Sequence, residues 1–198
     1  MSGDDQKVPP LNKVTMGINE GLPLAASAGG IEELRRDIQR LMDMEAIRQI
    51  KHAYFRCVDT ANWDELGAVL HPDLQVHYVG GGYEYKMEGR EEFIAAMRQA
   101  FHSEAIARHN GHMPEIQLLS DTEATGIWYL YDHFWSLNAN HLTHGTALYW
   151  DRYEKVDGRW LIRQTNYRRI YQINEAIDGK LNVASHYLRD HGVNLKPL

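Results

Sequence analysis

From Ile31 onward apolar residues recur every three or four positions, at Leu34, Ile38, Leu41 and Met42 and again at Ala46, Ile47, Ile50, Ala53, Tyr54, Cys57 and Val58. That is the period of one long amphipathic helix, or of two abutting ones. NWDELGAVLHPD reads as a short second helix, with Asn62 as N-cap, Glu65 at the capping-box position and Pro72 just past the end. LQVHYVG follows as a short strand, and GREEFIAAMRQAFHS gives a third amphipathic helix with Phe93, Ile94, Met97 and Phe101 on one face. After residue 103 the period becomes two. IARHNGHMPEIQLLS, EATGIWYLYDHFWSL, LTHGTALYWDRYEKV and GRWLIRQTNYRRIYQ are long strands rich in β-branched and aromatic residues, and VDGRW supplies an Asp-Gly hairpin turn. Helices first and antiparallel strands afterwards define an α+β fold, a curved sheet packed on three N-terminal helices.

The flanks differ in character. Residues 1–30 carry KVPPL, GINEGLPL and AASAGG without periodicity and read as an arm or loop. Residues 31–172 form the domain, and 173–198 a polar tail with a short helix around VASHYLRD, a segment expected to pack on a neighbouring subunit. At 198 residues, 43% hydrophobic and 24% charged, the chain suits one core. Its net charge of −6 is spread among interspersed residues, which argues against a nucleic-acid partner. No apolar run reaches membrane-spanning length and no hydrophobic signal core opens the chain, so a cytoplasmic protein with no membrane partner is expected. Cys57 has no second cysteine to bridge and sits among apolar neighbours, as core filler does.

Candidate chemistry starts at HAYFRCVDTANWDEL, where a helix with apolar last turns closes on Asp59. A carboxylate buried there needs a partner. His109, ahead of the strand PEIQLL, is the candidate. Alternation puts Ala124, Gly126, Trp128, Leu130, Asp132 and Phe134 on one strand face, which Asp132 interrupts. On the last strand Trp160, Ile162, Gln164, Asn166 and Arg168 share a face that turns from apolar to polar. Polar groups converging on an apolar hollow mark a small-molecule site. The aromatics of the two middle strands, from Trp128 to Tyr153, would line that pocket on one face and meet a second subunit on the other, so a homodimer or homotrimer is expected. The pairs His109/His112 and His141/His144 have H-x-x-H spacing, but on a strand that spacing turns the two rings to opposite faces, so no metal or other cofactor is assigned.

LMDMEAIRQIKHAYFRCVDTANWDELGAVLHPDLQVHY, RHNGHMPEIQLLSDTEATGIWYLYDHFW and DRYEKVDGRWLIRQTNYRRIY together resemble the SnoaL-like (polyketide-cyclase-like) branch of the nuclear transport factor 2-like superfamily, over residues 31–172. The nearest parallels are enzymes similar to bile acid 7α-dehydratase, scytalone dehydratase and hexachlorocyclohexane dehydrochlorinase. The resemblance implies a cone-shaped α+β barrel and a cofactor-independent lyase acting on a hydrophobic small molecule such as a steroid or polyketide. An isomerase or cyclase, or a binding module of the same fold, is the alternative. Carried over by residue, the His-Asp dyad falls on His109 and Asp59, the polar helix position on Tyr54, and the second acidic position on Asp132. The cationic or amide position falls on Arg168 or Asn166, and Trp128 joins the pocket wall. Each has a plainer reading: Tyr54 as core, Asp59 as a cap, His109 as a loop residue, Asp132 as exposed by a slipped register, Arg168 as an edge ion pair.

Overall fold

A computed structural model describes residues 8–11, 29–179 and 181–193. Most of the 1–30 arm therefore lies outside the described residues. The periodic stretch from Ile31 is a single helix, α1 (Ile31–Asp59), whose exposed first three turns carry Leu34, Ile38, Leu41 and Met42 and whose second half buries Ile47, Tyr54, Phe55, Cys57 and Val58. It stops where Ala61 takes a left-handed backbone (φ 52°) and the Asn62 amide turns back onto the Cys57 carbonyl. That stop sets Asp59 on the last turn. Asn62 caps α2 (Trp63–Val69), its side chain accepting from the Glu65 backbone N–H and donating to the Glu65 carboxylate; its own backbone N–H goes to Cys57, so only the N-cap half of a capping box forms.

β1 (Leu70–Val79) and β2 (Glu84–Glu88) form a hairpin, a strand pair of which only the first is legible in the apolar pattern; α3 (Arg90–Ala100) follows. β3 (Ala105–Leu118), β4 (Glu123–Ser136), β5 (His141–Val156) and β6 (Arg159–Ala176) then build the sheet, in order β2-β1-β6-β5-β4-β3. Only β1 and β6 run parallel; every other pair is antiparallel. Asp157 and Gly158, both at positive φ, make the tight β5–β6 turn. The sheet is curved and unclosed, and register shifts in β3–β4, β5–β6 and β1–β6 bend it around α1. The core lies between α1 and the concave face, with Leu66, Leu70, Leu74, Phe93, Trp128, Leu130 and Ile162. β6 continues four residues past position 172, and the tail folds onto its own chain: α4 (Tyr187–His191) buries Leu188, and His186 contacts the Ala105 carbonyl.

Candidate active site

The concave face and α1 enclose a cavity of about 480 Å³. Its deep wall is phenolic, with Tyr54 from α1, Tyr78 from β1, Tyr149 from β5 and Tyr167 from β6. One side is apolar (Val58, Met97, Phe101, Phe134); the mouth carries Tyr83, Thr143, Gln172 and Asn174.

His109 projects into this cavity from β3, its ring packed against Phe55 and Phe101. Gly111, two residues on, allows that packing, since a β-carbon there would lie 2.0 Å from the Phe55 ring. Asp59 stands behind the imidazole. Its Oδ1 lies 2.5 Å from His109 Nδ1, and its Oδ2 accepts the His109 backbone N–H at 2.9 Å. Two bonds from one residue fix the carboxylate, which fixes the ring: with Nδ1–H donated to Asp59, Nε2 is left as an acceptor. The side chains are 14% and 20% exposed, enough shelter to weaken solvent screening. Positions 54 and 59 lie about 140° apart around a helix, so Tyr54 lines the cavity while Asp59 stands behind His109.

Asp132 reaches the cavity from β4, on the face that alternation assigns. Its surroundings there are ionic. Both oxygens accept from the Arg169 guanidinium, Nη2–Oδ2 at 2.7 Å, with both side chains less than a tenth exposed. This fork geometry is that of a carboxylate. Burial works against the Arg169 cation, but the bonds and charge of Asp132 outweigh it and raise its pKa.

Arg169 is the cavity's cation, and sequence alternation points one residue short of it. Trp160 and Ile162 do face the helix layer. A register shift opposite Arg152 and Tyr153 then inserts Arg163, so that Thr165, Tyr167 and Arg169 take over the inner face. Arg168 lies on the other side, donating to the carbonyls of Pro9 and Val8. Asn166 shares that outer face and is buried away from the cavity. Trp128 is fully buried core, its Nε1–H donating to Tyr153 Oη at 2.8 Å, and does not line the site. Nothing in a two-residue period announces a bulge, so the displacement had no signal in the chain.

Tyr54 lines the cavity with its hydroxyl 2.6 Å from that of Tyr78. Burial pushes the pKa values of Tyr54, Tyr78, Tyr149 and Tyr167 up, so all four stay neutral phenols. The H-x-x-H pairs split as strand geometry requires: His109 and His141 line the cavity, while His112 packs on Tyr129 and His144 stacks on His133. Among the described residues no group of three or more His, Cys, Asp or Glu side chains is arranged to hold a metal ion.

A curved, unclosed sheet wrapped on N-terminal helices is the nuclear transport factor 2-like, or cystatin-like, architecture. A protein of that description from Novosphingobium aromaticivorans superposes with a TM-score of 0.58 at 15% identity, over 73% of this chain and 92% of its own. Residues 39–166 match the SnoaL-like domain family, and the chain belongs to it. Among solved structures it is similar to a hexachlorocyclohexane dehydrochlorinase, LinA type 2 (TM-score 0.64, 18% identity, 76% of this chain and 99% of that one). It is also similar to a scytalone-dehydratase-like protein of N. aromaticivorans (TM-score 0.60, 19% identity, 75% and 97%). At these identities the likeness is one of fold.

Proposed function

We propose that the chain is a cofactor-independent lyase that removes a proton beside a carbonyl and expels a β-hydroxyl from an apolar hydroxy-carbonyl compound, such as a steroid or polyketide. The observation that supports this is the double engagement of Asp59 by His109 at the wall of a cavity whose depth is phenolic and one side apolar. His109 Nε2 takes the proton, and Asp59 stabilises the imidazolium that forms. The electron pair of the broken C–H bond moves onto the carbonyl oxygen, where the Tyr54 hydroxyl meets it. As the pair returns to form the new double bond, the C–O bond breaks and the departing hydroxide recovers the proton held by His109, leaving as water. Asp132, engaged by Arg169, serves as an oriented polar wall. The dehydrochlorinase and dehydratase names of the structural neighbours are consistent with this chemistry.

His109→Ala should abolish turnover of such substrates with folding unchanged; a near-normal rate refutes the assignment. The Asp132–Arg169 pair favours one second reading. With Asp132 held by Arg169 instead of free to protonate a leaving group, the same base could return its proton to another carbon, giving an isomerase or cyclase. Product mass decides, since elimination lowers it by one water and isomerisation leaves it unchanged. The half-buried outer aromatics Tyr129, Tyr131, Trp135 and Trp150 support a homodimer or homotrimer, and sedimentation at the 22.9 kDa monomer mass would contradict it.

A further inference from the structure

Behind the phenolic wall lies a second ion pair that the proposed chemistry leaves unused. Lys51, three residues before Tyr54 on α1, and Asp151 of β5 both have wholly buried side chains, with Nζ 2.7 Å from Oδ2. The ammonium sits 3.8 Å from the Tyr149 ring centre and 4.5 Å from that of Tyr54. It also donates to Thr165 Oγ1 at 3.5 Å. Thr165 Oγ1 accepts in turn from the Tyr78 hydroxyl at 3.5 Å, and Tyr78 lies 2.6 Å from Tyr54. On the other side Asp151 accepts from Tyr153 at 2.9 Å. A cation thus stands at the inner end of a chain of three hydroxyls whose outer members line the cavity.

Stability does not explain the pair. Two charges removed from water lose more solvation than their attraction restores unless the geometry is excellent, and apolar replacements of such pairs are often neutral or stabilising. Position suggests a use. An ammonium only donates, so Thr165 Oγ1 has a donor whichever way its own hydrogen points. When an anionic ligand oxygen draws the Tyr54 hydrogen into the cavity, Tyr78 can turn to donate to Tyr54, and Thr165 to Tyr78. Each link is polarised by the next, in surroundings where screening is weak. Burial lowers the Lys51 pKa, and the charge and hydrogen bond of Asp151, 2.7 Å away, oppose that.

We infer that Lys51, paired with Asp151, is a positioning residue that anchors the Thr165–Tyr78–Tyr54 chain and makes the cavity floor selective for a ligand oxygen carrying negative charge, an enolate or phenolate. This rests on the cavity being the reacting site proposed above, but its test needs no turnover, so it and the His109→Ala assay fail independently. The full-length chain is titrated with 4-nitrophenolate and with its neutral ether, 4-nitroanisole. Lys51→Met/Asp151→Leu, with folding checked by circular dichroism, should lose about tenfold in affinity for the phenolate and keep its affinity for the ether. Tyr54→Phe should cause the same selective loss in the wild type and none further in the double variant. If the double variant does not fold, Thr165→Val cuts the chain while leaving the ion pair and carries the same comparison. Equal weakening of both probes, no change in either, additive losses with Tyr54→Phe, or a wild-type preference for the ether would each overturn the inference.

Discussion

Asp59→Asn isolates the charge behind His109 with almost no change in shape. The carboxylate now accepts from both the backbone amide and Nδ1 of His109. An asparagine keeps one acceptor for the backbone N–H but turns its NH2 toward Nδ1. The ring must then take the opposite tautomer, with its hydrogen on Nε2, where it cannot act as a base. The charge itself matters as well. At a separation of about 4 Å and an effective dielectric constant near 20, a carboxylate stabilises an imidazolium by about 4 kcal/mol, and by about 2 once partial exposure is allowed for. Removing it raises the barrier to forming the imidazolium by that amount, a rate loss of about 30- to 1000-fold before the tautomer change is counted. Nitrogen-15 NMR of the His109 ring reads the tautomer without any substrate, and turnover reads the rate. Asp59→Asn combined with His109→Gln should be no slower than His109→Gln alone, because the two act as one unit. A variant that keeps hydrogen on Nδ1, or turns over at the wild-type rate, would refute the reasoning.

Three other outcomes are expected. Burial raises the pKa of Tyr54, Tyr78, Tyr149 and Tyr167 in the folded state, so their contribution to stability is complete below pH of about 10 and is lost as pH rises further; near-ultraviolet titration of the eleven tyrosines should show exposed ones ionising first and these only with alkaline unfolding, and a single native-state step would contradict it. Burial alone would raise the Asp43 pKa, but bonds from Lys155, Trp160 and Gln39 outweigh it and hold the carboxyl below its usual range. Its stabilisation is therefore present above pH of about 4 and disappears as pH falls through the folded value, so Asp43→Asn should lose about 1–3 kcal/mol in urea melts at pH 7 and little at low pH. Gly111→Ala should destabilise by about 1–3 kcal/mol through the Phe55 ring and change the chemical shifts of His109, which packs on it; an unchanged melting curve and spectrum would show that the ring moves freely.

Much of the architecture could be read from the chain because its signals are local. The three- and four-residue spacing along α1, Asn62 with Glu65 at the start of α2, the Asp-Gly turn and the alternation of β4 each depend on residues only a few positions apart. A different rule, that a carboxylate closing an apolar helix needs a donor, called for a partner to Asp59; His109 was the candidate, and its role as base came with the family resemblance. The short strand β2 is not legible in the chain because it is mostly exposed, and an edge strand with little to bury has no apolar period.

The sequence alone determined the order of the helices and the long strands and the inward face of β4, since these rest on backbone periodicity, and it called for a donor beside the helix-end carboxylate, since burying a lone charge carries a penalty. Tertiary structure alone decided that Arg169 and not Arg168 enters the cavity, that it claims Asp132, and that Lys51 meets Asp151 across a hundred residues of chain. One inserted residue flips a two-residue period until a second restores it, as the shift between Arg169 and Tyr171 does for the cavity-lining Gln172 and Asn174. A side chain buried by sheet curvature leaves no mark on its sequence neighbours, because what surrounds it comes from strands far along the chain.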